Sequence, residues 1–579
     1  MSNFYTDDPD LQRQLDTLDL RRIVALREDD YEQAADFSYA PRDYPDALDS
    51  YRRTLEIVGD IAGEFVAPRA EDVDRAGALL TDGEVCYAPG MQESLDRLTQ
   101  ADLMGITLPR RYGGLNFPVT VSVMIVEMIS RADPALMNVF GLQDIAETVN
   151  KFAADEIKDA YLPRFASGEV TGSMALTEPE AGSDLQNVQL KAALGADGVW
   201  RLSGVKRFIT NGCGQVSLVL ARSEEGTTDA RGLSMFLYER DSHMKIRRLE
   251  DKLGIHGSPT CELQFDEAPA LLVGERRRGL TTYVMSLMNG ARIAIAAQAQ
   301  GIAEAAYRAA SKYADERVQF GGPIRELTPV AAMLADMKVA LEASRALLYE
   351  TALIVDLKEG LERRIEQLQS GERAAAGDDE LKELRADLKA MTRLAALYTP
   401  LAKACSTEMA NRVAYDSLQI HGGSGYMRDF AVERHARDAR ITNIYEGTTQ
   451  LQVVAALGGV LSGTLAARLD EYDAADLGAT PELLARVRRA RESWSAAIAH
   501  VRAADDTDFR DFHGRRLVEA AIDLICAYLL LRAAQHDARK LLVARYFVEQ
   551  MGVRVEGAAQ AVLDSAPAAI DTLQALGRD

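Results

Sequence analysis

Between Thr171 and about residue 275 the chain abandons helical spacing. Runs such as "GVWRLSGVKRFIT", "VSLVLARS", "GLSMFLYER" and "CELQFDEAP" are short and alternating, and Gly or Asp turns part them. That pattern predicts an antiparallel β domain. On both sides apolar residues recur at helical intervals, as in "YRRTLEIVGDIAGEFVAP", "VSVMIVEMISRA" and "LTTYVMSLMNGARIAIAAQAQGIAEAAYRAASKYADERVQ". A block of strands between two blocks of helices has no βαβ rhythm, and no G-x-G-x-x-G opens a helix, which argues against a Rossmann domain.

The order predicts a mainly α chain with a central antiparallel β domain. Residues 1–50, with Pro41 and Pro45, read as an extended arm. A helical domain follows over 51–170, broken at the loop "LPRRYGGLNFP"; the β domain covers 171–275 and a helical bundle 276–464. The stretch 355–392 is dense in charge and reads as an exposed helical hairpin inserted between bundle helices, hinged at "AAAGDD". Residues 465–579 form a helical extension bounded at "ADLGATPE", and no internal repeat is present.

Composition narrows the function classes. With 66 basic residues against 88 acidic, the formal net charge is −22, which repels nucleic acid. The five cysteines are far apart and follow no metal-ligand spacing, so reduced thiols and no metal are expected. The N-terminus has no signal-peptide pattern, and the most apolar stretch, "AAIDLICAYLLLRAAQ", is interrupted by Asp523 and too short to span a bilayer. A cytoplasmic chain without transmembrane segments is the expectation.

Four stretches stand apart from ordinary helix and strand. In "MALTEPEAGSD", Gly182 and Ser183 offer backbone N–H groups and a hydroxyl to a phosphate, or simply form a turn. "RFITNGCG" ends in an Asn-Gly hairpin signal, and "LQIHGGSGY" reads as a helix C-cap holding His421. "ITNIYEGTTQLQ" contains a single acid, Glu446, which by itself reads as a helix N-terminal carboxylate favoured by the dipole.

Taken in order, "ALTEPEAGSD", "FITNG", "DKLGIHGSPTCELQFD", "ADERVQFGGPI", "QIHGGSGYMRDF" and "ERHARDARITNIYEGTTQLQ" resemble the acyl-CoA dehydrogenase family, from about residue 51 to 460. The insert and the C-terminal block look like a longer branch, similar to its 3-methylmercaptopropionyl-CoA dehydrogenase type. The resemblance implies FAD, oxidation of an acyl-CoA thioester to the 2-enoyl-CoA, and Glu446 as the base that removes the α-proton. It implies oxyanion donors at the Glu446 N–H and a flavin ribityl hydroxyl. Some branches carry the base on the preceding bundle helix; Ala291 stands there, so no rival acid exists.

For the cofactor, the resemblance puts Thr177 and Thr210 on the isoalloxazine edge with Leu176 and Ile209 beside them. Phe208 would cover the ring, and Gly182 and Ser183 would meet the pyrophosphate. Arg317 and Phe320, and the loop of Gln419, His421, Gly422 and Gly423, would reach the FAD of another subunit, with Thr448 and Gln450 toward the adenosine half. Thr328 departs from a Gln common in short-chain members. Ser183, Asn289, Arg292 and Gly447 are the implied substrate contacts, and Met137 stands where dicarboxylyl members place an Arg, which favours a neutral acyl chain. An obligate homo-oligomer, dimer or tetramer, and electron-transfer flavoprotein as acceptor follow from the same likeness. The alternatives are an oxygen-using acyl-CoA oxidase and a silent relative serving as a binding partner.

Overall fold

A computed structural model describes residues 2–371, 377–475, 477, 481–535, 537–566 and 569–577. The chain divides into two compact units, residues 1–305 with 428–441, and residues 306–427 with 442–579.

In the first unit the opening fifty residues are not an extended arm. Asp8 accepts hydrogen bonds from the Asp10 and Leu11 N–H groups and caps a helix at Pro9–Thr17, with Pro in its first turn. Leu11 and Leu15, one turn apart, are buried, and a second helix at Arg21–Arg27 buries Ile23 and Val24. The helix Val119–Ala132 buries most of its residues. The helix Met285–Glu316 reaches it closely in this unit: a Cβ on Gly301 would lie 2.3 Å from the Glu127 carbonyl oxygen. This is the close approach that a small-residue helix allows.

The strands are β1 (Leu79–Thr81) and β2 (Glu84–Cys86), a separate hairpin, then β3 (Gly172–Ala175), β4 (Lys191–Leu194), β5 (Trp200–Thr210), β6 (Val216–Arg222), β7 (Leu233–Glu239), β8 (Met244–Leu249) and β9 (Thr260–Val273). Most ladders are antiparallel, but β3 runs parallel to β6. The pairings form a ring, β6–β7–β9–β5–β4, closed by a single parallel step from Lys191 to Arg222. Alternation along β5 sends Trp200, Leu202 and Lys206 inward, and the β5–β9 ladder carries a bulge between Lys206 and Ile209.

In the second unit, Thr328–Ser370 and Asp378–His421 are single long helices, so the charged stretch is the outer part of two bundle helices rather than a separate hairpin. Its "AAAGDD" hinge falls largely outside the described residues, as does much of "ADLGATPE". A two-residue hairpin joins β10 (Val318–Gln319) and β11 (Gly322–Pro323). The extension helices Pro481–Ala504, Thr507–Ala533 and Ala538–Leu563 share one apolar core with the bundle, in which Leu347, Leu401 and Val453 join Trp494, Phe509 and Leu524. Within this core Glu350 is held by Arg468, Arg532 and the Tyr472 hydroxyl. No single helix among the described residues is long and apolar enough to cross a membrane.

Candidate active site

The β domain offers a platform built at the end of β3. Strand β5 holds the carbonyls that follow it: the Arg207 N–H donates to the Thr177 oxygen at 2.9 Å, and Lys206 Nζ donates to the Leu176 oxygen at 2.8 Å. Lys206 is fully buried and pairs with Glu178 Oε1 at 2.8 Å. The Glu178 carboxylate also accepts the Gln189 and Leu190 N–H groups at 2.7 and 3.0 Å. Burial pushes the Lys206 ammonium down to about 8, and Glu178 opposes that shift. Neither residue was singled out from sequence; the one hint is that Lys206 sits in the inward phase of β5.

Leu176 and Ile209 are buried, whereas Thr177 and Thr210 are half-buried, and their hydroxyls make no hydrogen bond among the described residues. The bulge leaves Phe208 at φ 61°, with 52% of its surface exposed. Ser183 is exposed and is not the turn's cap; Asp184 is, accepting from the Gln186 N–H. A Cβ on Gly182 would meet no atom within 4 Å, so the fold itself does not require glycine there. In the same unit Arg292 Nη1 donates to Asn289 Oδ1 at 3.3 Å, Ala291 is half-buried and Met137 is buried.

The bundle unit holds Glu446 on a clamped loop. Its backbone is left-handed at φ 52°, and Gly447 follows at φ 91°. Gln452 Nε2 donates to the Glu446 and Gly447 oxygens at 3.2 and 2.9 Å, and Lys403 Nζ donates to the Gly447 oxygen at 2.7 Å. Glu408 Oε1 accepts from Thr449 Oγ1 and Asn443 Nδ2, and the Thr449 N–H closes the loop onto the Asn443 oxygen at 3.1 Å. The helix cap is Thr448, which accepts from the Leu451 N–H, while Gln450 is exposed in the first turn. Glu446 therefore precedes the cap and is not a capping carboxylate. Lys403 and Glu408 lie on the helix Asp378–His421, too far along the chain for spacing to expose, whereas Thr449 and Gln452 follow Glu446 within the same motif.

Elsewhere in this unit Phe320 and Gly321 are the two turn residues of the β10–β11 hairpin, at φ 53° and 93°, and the Phe320 ring is 93% exposed. Arg317 is exposed and anchors the hairpin through its oxygen, which accepts from the Ile324 N–H. Thr328 opens the helix Thr328–Ser370. His421 ends its helix buried: its ring stacks on Tyr313 at 4.2 Å, and Nδ1 donates to the Ser417 oxygen at 2.8 Å. Burial lowers its pKa and keeps it neutral. Gly422, at φ 60°, and Gly423 leave the loop surface open beside exposed Gln419.

Residues 49–169, 173–268, 278–456 and 461–561 match, in that order, the acyl-CoA dehydrogenase N-terminal domain, middle domain, C-terminal domain and a further acyl-CoA dehydrogenase C-terminal segment. The chain is 33% identical to the 3-methylmercaptopropionyl-CoA dehydrogenase of Ruegeria pomeroyi over 501 residues, 80% of this chain and 81% of that one. The chain belongs to the acyl-CoA dehydrogenase family. Butyryl-CoA dehydrogenase from Megasphaera elsdenii superposes with a TM-score of 0.60 at 30% identity, over 71% of this chain and 98% of that one. An acyl-CoA dehydrogenase complexed with FAD from Bacillus anthracis covers 92% of this chain and 91% of its own, with a TM-score of 0.72. At 24% identity that likeness speaks for the fold.

The family consists of FAD-dependent oxidoreductases. The β-domain residues fit such a cofactor: hydroxyls without hydrogen bonds among the described residues, an aromatic ring left exposed by strained backbone, and a glycine whose open surface lets a phosphate approach.

Proposed function

We propose that the protein oxidises a neutral acyl-CoA thioester to the trans-2-enoyl-CoA, with Glu446 abstracting the α-proton and electron-transfer flavoprotein accepting the electrons. The α-hydrogen of a thioester is a very weak acid, so the base must be close, oriented and poorly solvated. Glu446 is half-buried already, and an acyl chain laid over it removes more water from around the carboxylate, which makes it a stronger base. Its N–H is assigned as a donor to the thioester oxygen, where negative charge builds as the proton leaves, a contribution of about 3 kcal/mol. After transfer the neutral Glu446 acid holds the proton until it returns to solvent.

FAD, when bound, supplies the acceptor for the hydride that leaves the β-carbon. Leu176, Thr177, Gly182, Ser183, Phe208, Ile209 and Thr210 are assigned to hold it. Arg317, Phe320, Gln419, His421, Gly422, Gly423, Thr448 and Gln450 are assigned to complete that site in a homo-oligomer. Ser183, Asn289, Arg292 and Gly447 are assigned to the acyl-CoA. Met137 in place of a cation supports a neutral acyl group. A cytoplasmic role in fatty-acid β-oxidation fits these assignments.

The observation that carries the reading is the left-handed, multiply clamped backbone at Glu446, a conformation that costs a non-glycine residue about 1–2 kcal/mol. The test is anaerobic titration of the holoprotein with a panel of acyl-CoAs, following flavin bleaching. Glu446→Gln is expected to keep the flavin and to slow bleaching by about 10²–10⁴-fold; a variant that bleaches at the native rate refutes the assignment. Slow reoxidation in air supports a protein electron acceptor, and rapid reoxidation identifies an oxidase instead.

A further inference from the structure

Two of the five cysteines, Cys86 and Cys213, line a cleft that the proposed chemistry does not use, and a third, Cys261, shares a buried cluster with Cys213. The cleft, about 380 Å³, lies in the first unit; Cys86, Tyr87, Thr171, Cys213, Gln215 and Arg240 are among the residues lining it. None of the residues assigned above to FAD or acyl-CoA lines it. Cys213 forms part of its wall, and Cys261, fully buried, packs in the same core cluster as Cys213.

The turn after β5 creates this arrangement. Asn211 is left-handed at φ 51°, the Gly212 N–H donates to the Ile209 oxygen at 3.1 Å, and the Gly214 N–H donates to the Asn211 oxygen at 2.8 Å. A Cβ on Gly212 would lie 2.9 Å from the Cys261 Cβ, so only glycine lets the turn fold flat onto β9. Cys213, the next residue, is thereby brought into the same buried cluster as Cys261.

Their surroundings differ. Cys213 Sγ lies 3.8 Å from the Tyr87 hydroxyl and 3.5 Å from Asn211 Oδ1, and Arg240 Nη1 donates to the Cys213 oxygen at 3.2 Å. The Cys261 thiol, the tyrosine hydroxyl and the nearby guanidinium all favour a thiolate at Cys213 and lower its pKa, against burial. At Cys261 the adjacent Cys213 and burial act the other way and keep the thiol protonated. One sulfur is thus prepared as a nucleophile, and its neighbour retains the proton needed to complete an exchange. Asp96 and Glu169 also line the cleft, so a small neutral oxidant is admitted more readily than an anionic one.

We propose that Cys213 and Cys261 form a peroxide-oxidised dithiol site, with Cys213 attacked first and Cys261 resolving it. The Cys213 thiolate attacks one oxygen of hydrogen peroxide; the S–O bond forms, the O–O bond breaks, and hydroxide leaves to be protonated. The Cys261 sulfur then attacks the sulfenic sulfur. The S–S bond forms, the S–O bond breaks, and water departs with the Cys261 proton. Two thiols are oxidised to one disulfide, and one peroxide is reduced to two waters. No step depends on Glu446 or on a bound substrate, so this site stands or falls apart from the dehydrogenase reading.

A second thiol contact, Cys405 with Cys526, serves as the internal comparison. The neighbouring Cys405 and burial raise the pKa of Cys526, whose sulfur lies 3.5 Å from the Ala343 oxygen. The experiment exposes the holoprotein to hydrogen peroxide, blocks remaining thiols with N-ethylmaleimide, and maps the peptides by mass. The expected result is a dithiothreitol-reversible link between the peptides carrying residues 213 and 261, formed before any change at Cys526. The thiol titre of the unfolded protein falls from five to three. Cys261→Ser is expected to stop at a dimedone-reactive sulfenic acid on Cys213. A link from Cys213 to Cys86, or oxidation of Cys213 no faster than that of Cys526, overturns the proposal. If Cys261→Ser fails to fold, mapping of the native chain decides alone.

Discussion

Replacing Gln452 by Leu separates the positioning of Glu446 from the stability of the bundle. The side chain is fully buried and donates to the Glu446 and Gly447 oxygens at 3.2 and 2.9 Å. Losing two such bonds costs about 1–3 kcal/mol. Against this, Gln452 Oε1 is buried without a partner, and removing an orphaned acceptor returns about 1–3 kcal/mol. Leucine fills a similar volume, so the two terms nearly cancel and the unfolding free energy shifts by less than about 1 kcal/mol. The loop fares differently. Glu446 carries a left-handed cost of about 1–2 kcal/mol that the clamp offsets; unclamped, it relaxes toward ordinary backbone. Each 1.4 kcal/mol is about tenfold in population, so the first-order rate of anaerobic flavin bleaching is expected to fall about tenfold. The Lys403 contact to the Gly447 oxygen keeps the loss from being total. Urea unfolding and stopped-flow bleaching on the same preparation make the comparison. An unchanged midpoint with a native bleaching rate refutes the clamp as a positioning device.

Lys206→Met leaves the buried Glu178 carboxylate without its cation and the Leu176 oxygen without its donor, so unfolding free energy should drop by about 3–5 kcal/mol. The native site also has a pH signature. Because burial holds Lys206 at about 8, the unfolded chain binds the extra proton above that value, and this site's contribution to stability rises from pH 8 toward the ordinary lysine range; Lys206→Met should abolish the rise in a denaturant–pH series. Asp438 behaves oppositely: burial raises it to about 7, so its contribution is full below the ordinary aspartate range and is lost as pH rises through 7. Asp438→Asn keeps an acceptor for the Ile255 N–H and should flatten thermal stability between about pH 4 and pH 7. Phe320→Ala, at a ring 93% exposed, should leave the unfolding midpoint unchanged yet lower the assembly mass or speed FAD loss; no effect on either removes Phe320 from the proposed shared site.

The switch from helical to alternating period was legible because each element buries one face, and burial writes its period into the sequence. What the sequence concealed is set by partners far along the chain. Lys206 lies in the inward phase of β5, but only Glu178, 28 residues earlier, makes a buried ammonium tolerable there. The closing step from Lys191 to Arg222 and the parallel β3–β6 pairing are equally non-local. The helix Pro9–Thr17 was readable, since Asp8 and Pro9 are start signals and Leu11 and Leu15 share a face. The prolines farther on suggested extended chain, yet Pro45 lies in the first turn of the helix Tyr44–Asp60, where its missing N–H costs nothing. The thiol pair at residues 213 and 261 escaped because cysteine spacing carries no information once strands and turns, rather than loops, bring sulfurs together.

Phe208, Phe320 and Glu446 share a feature that composition does not carry. Each was named from its motif, and each has left-handed backbone without being glycine. The devices that hold them differ: a strand bulge at Phe208, a two-residue hairpin turn at Phe320, and the Gln452 and Lys403 hydrogen bonds around Glu446. A fold seeking only stability would place Gly or Asn at such positions, at a saving of about 1 kcal/mol each. Chain reversal alone therefore does not explain the side chains. Two of them are rings directed into solvent, 52% and 93% exposed, and the third is a carboxylate that precedes the helix cap instead of forming it. Only at Phe320 does the ring stand clear of its own chain; the Arg207 guanidinium lies 4.6 Å from the Phe208 ring, and the loop at Glu446 is tied down by Gln452 and Lys403, so what the three share is a backbone cost accepted for the side chain rather than for the turn.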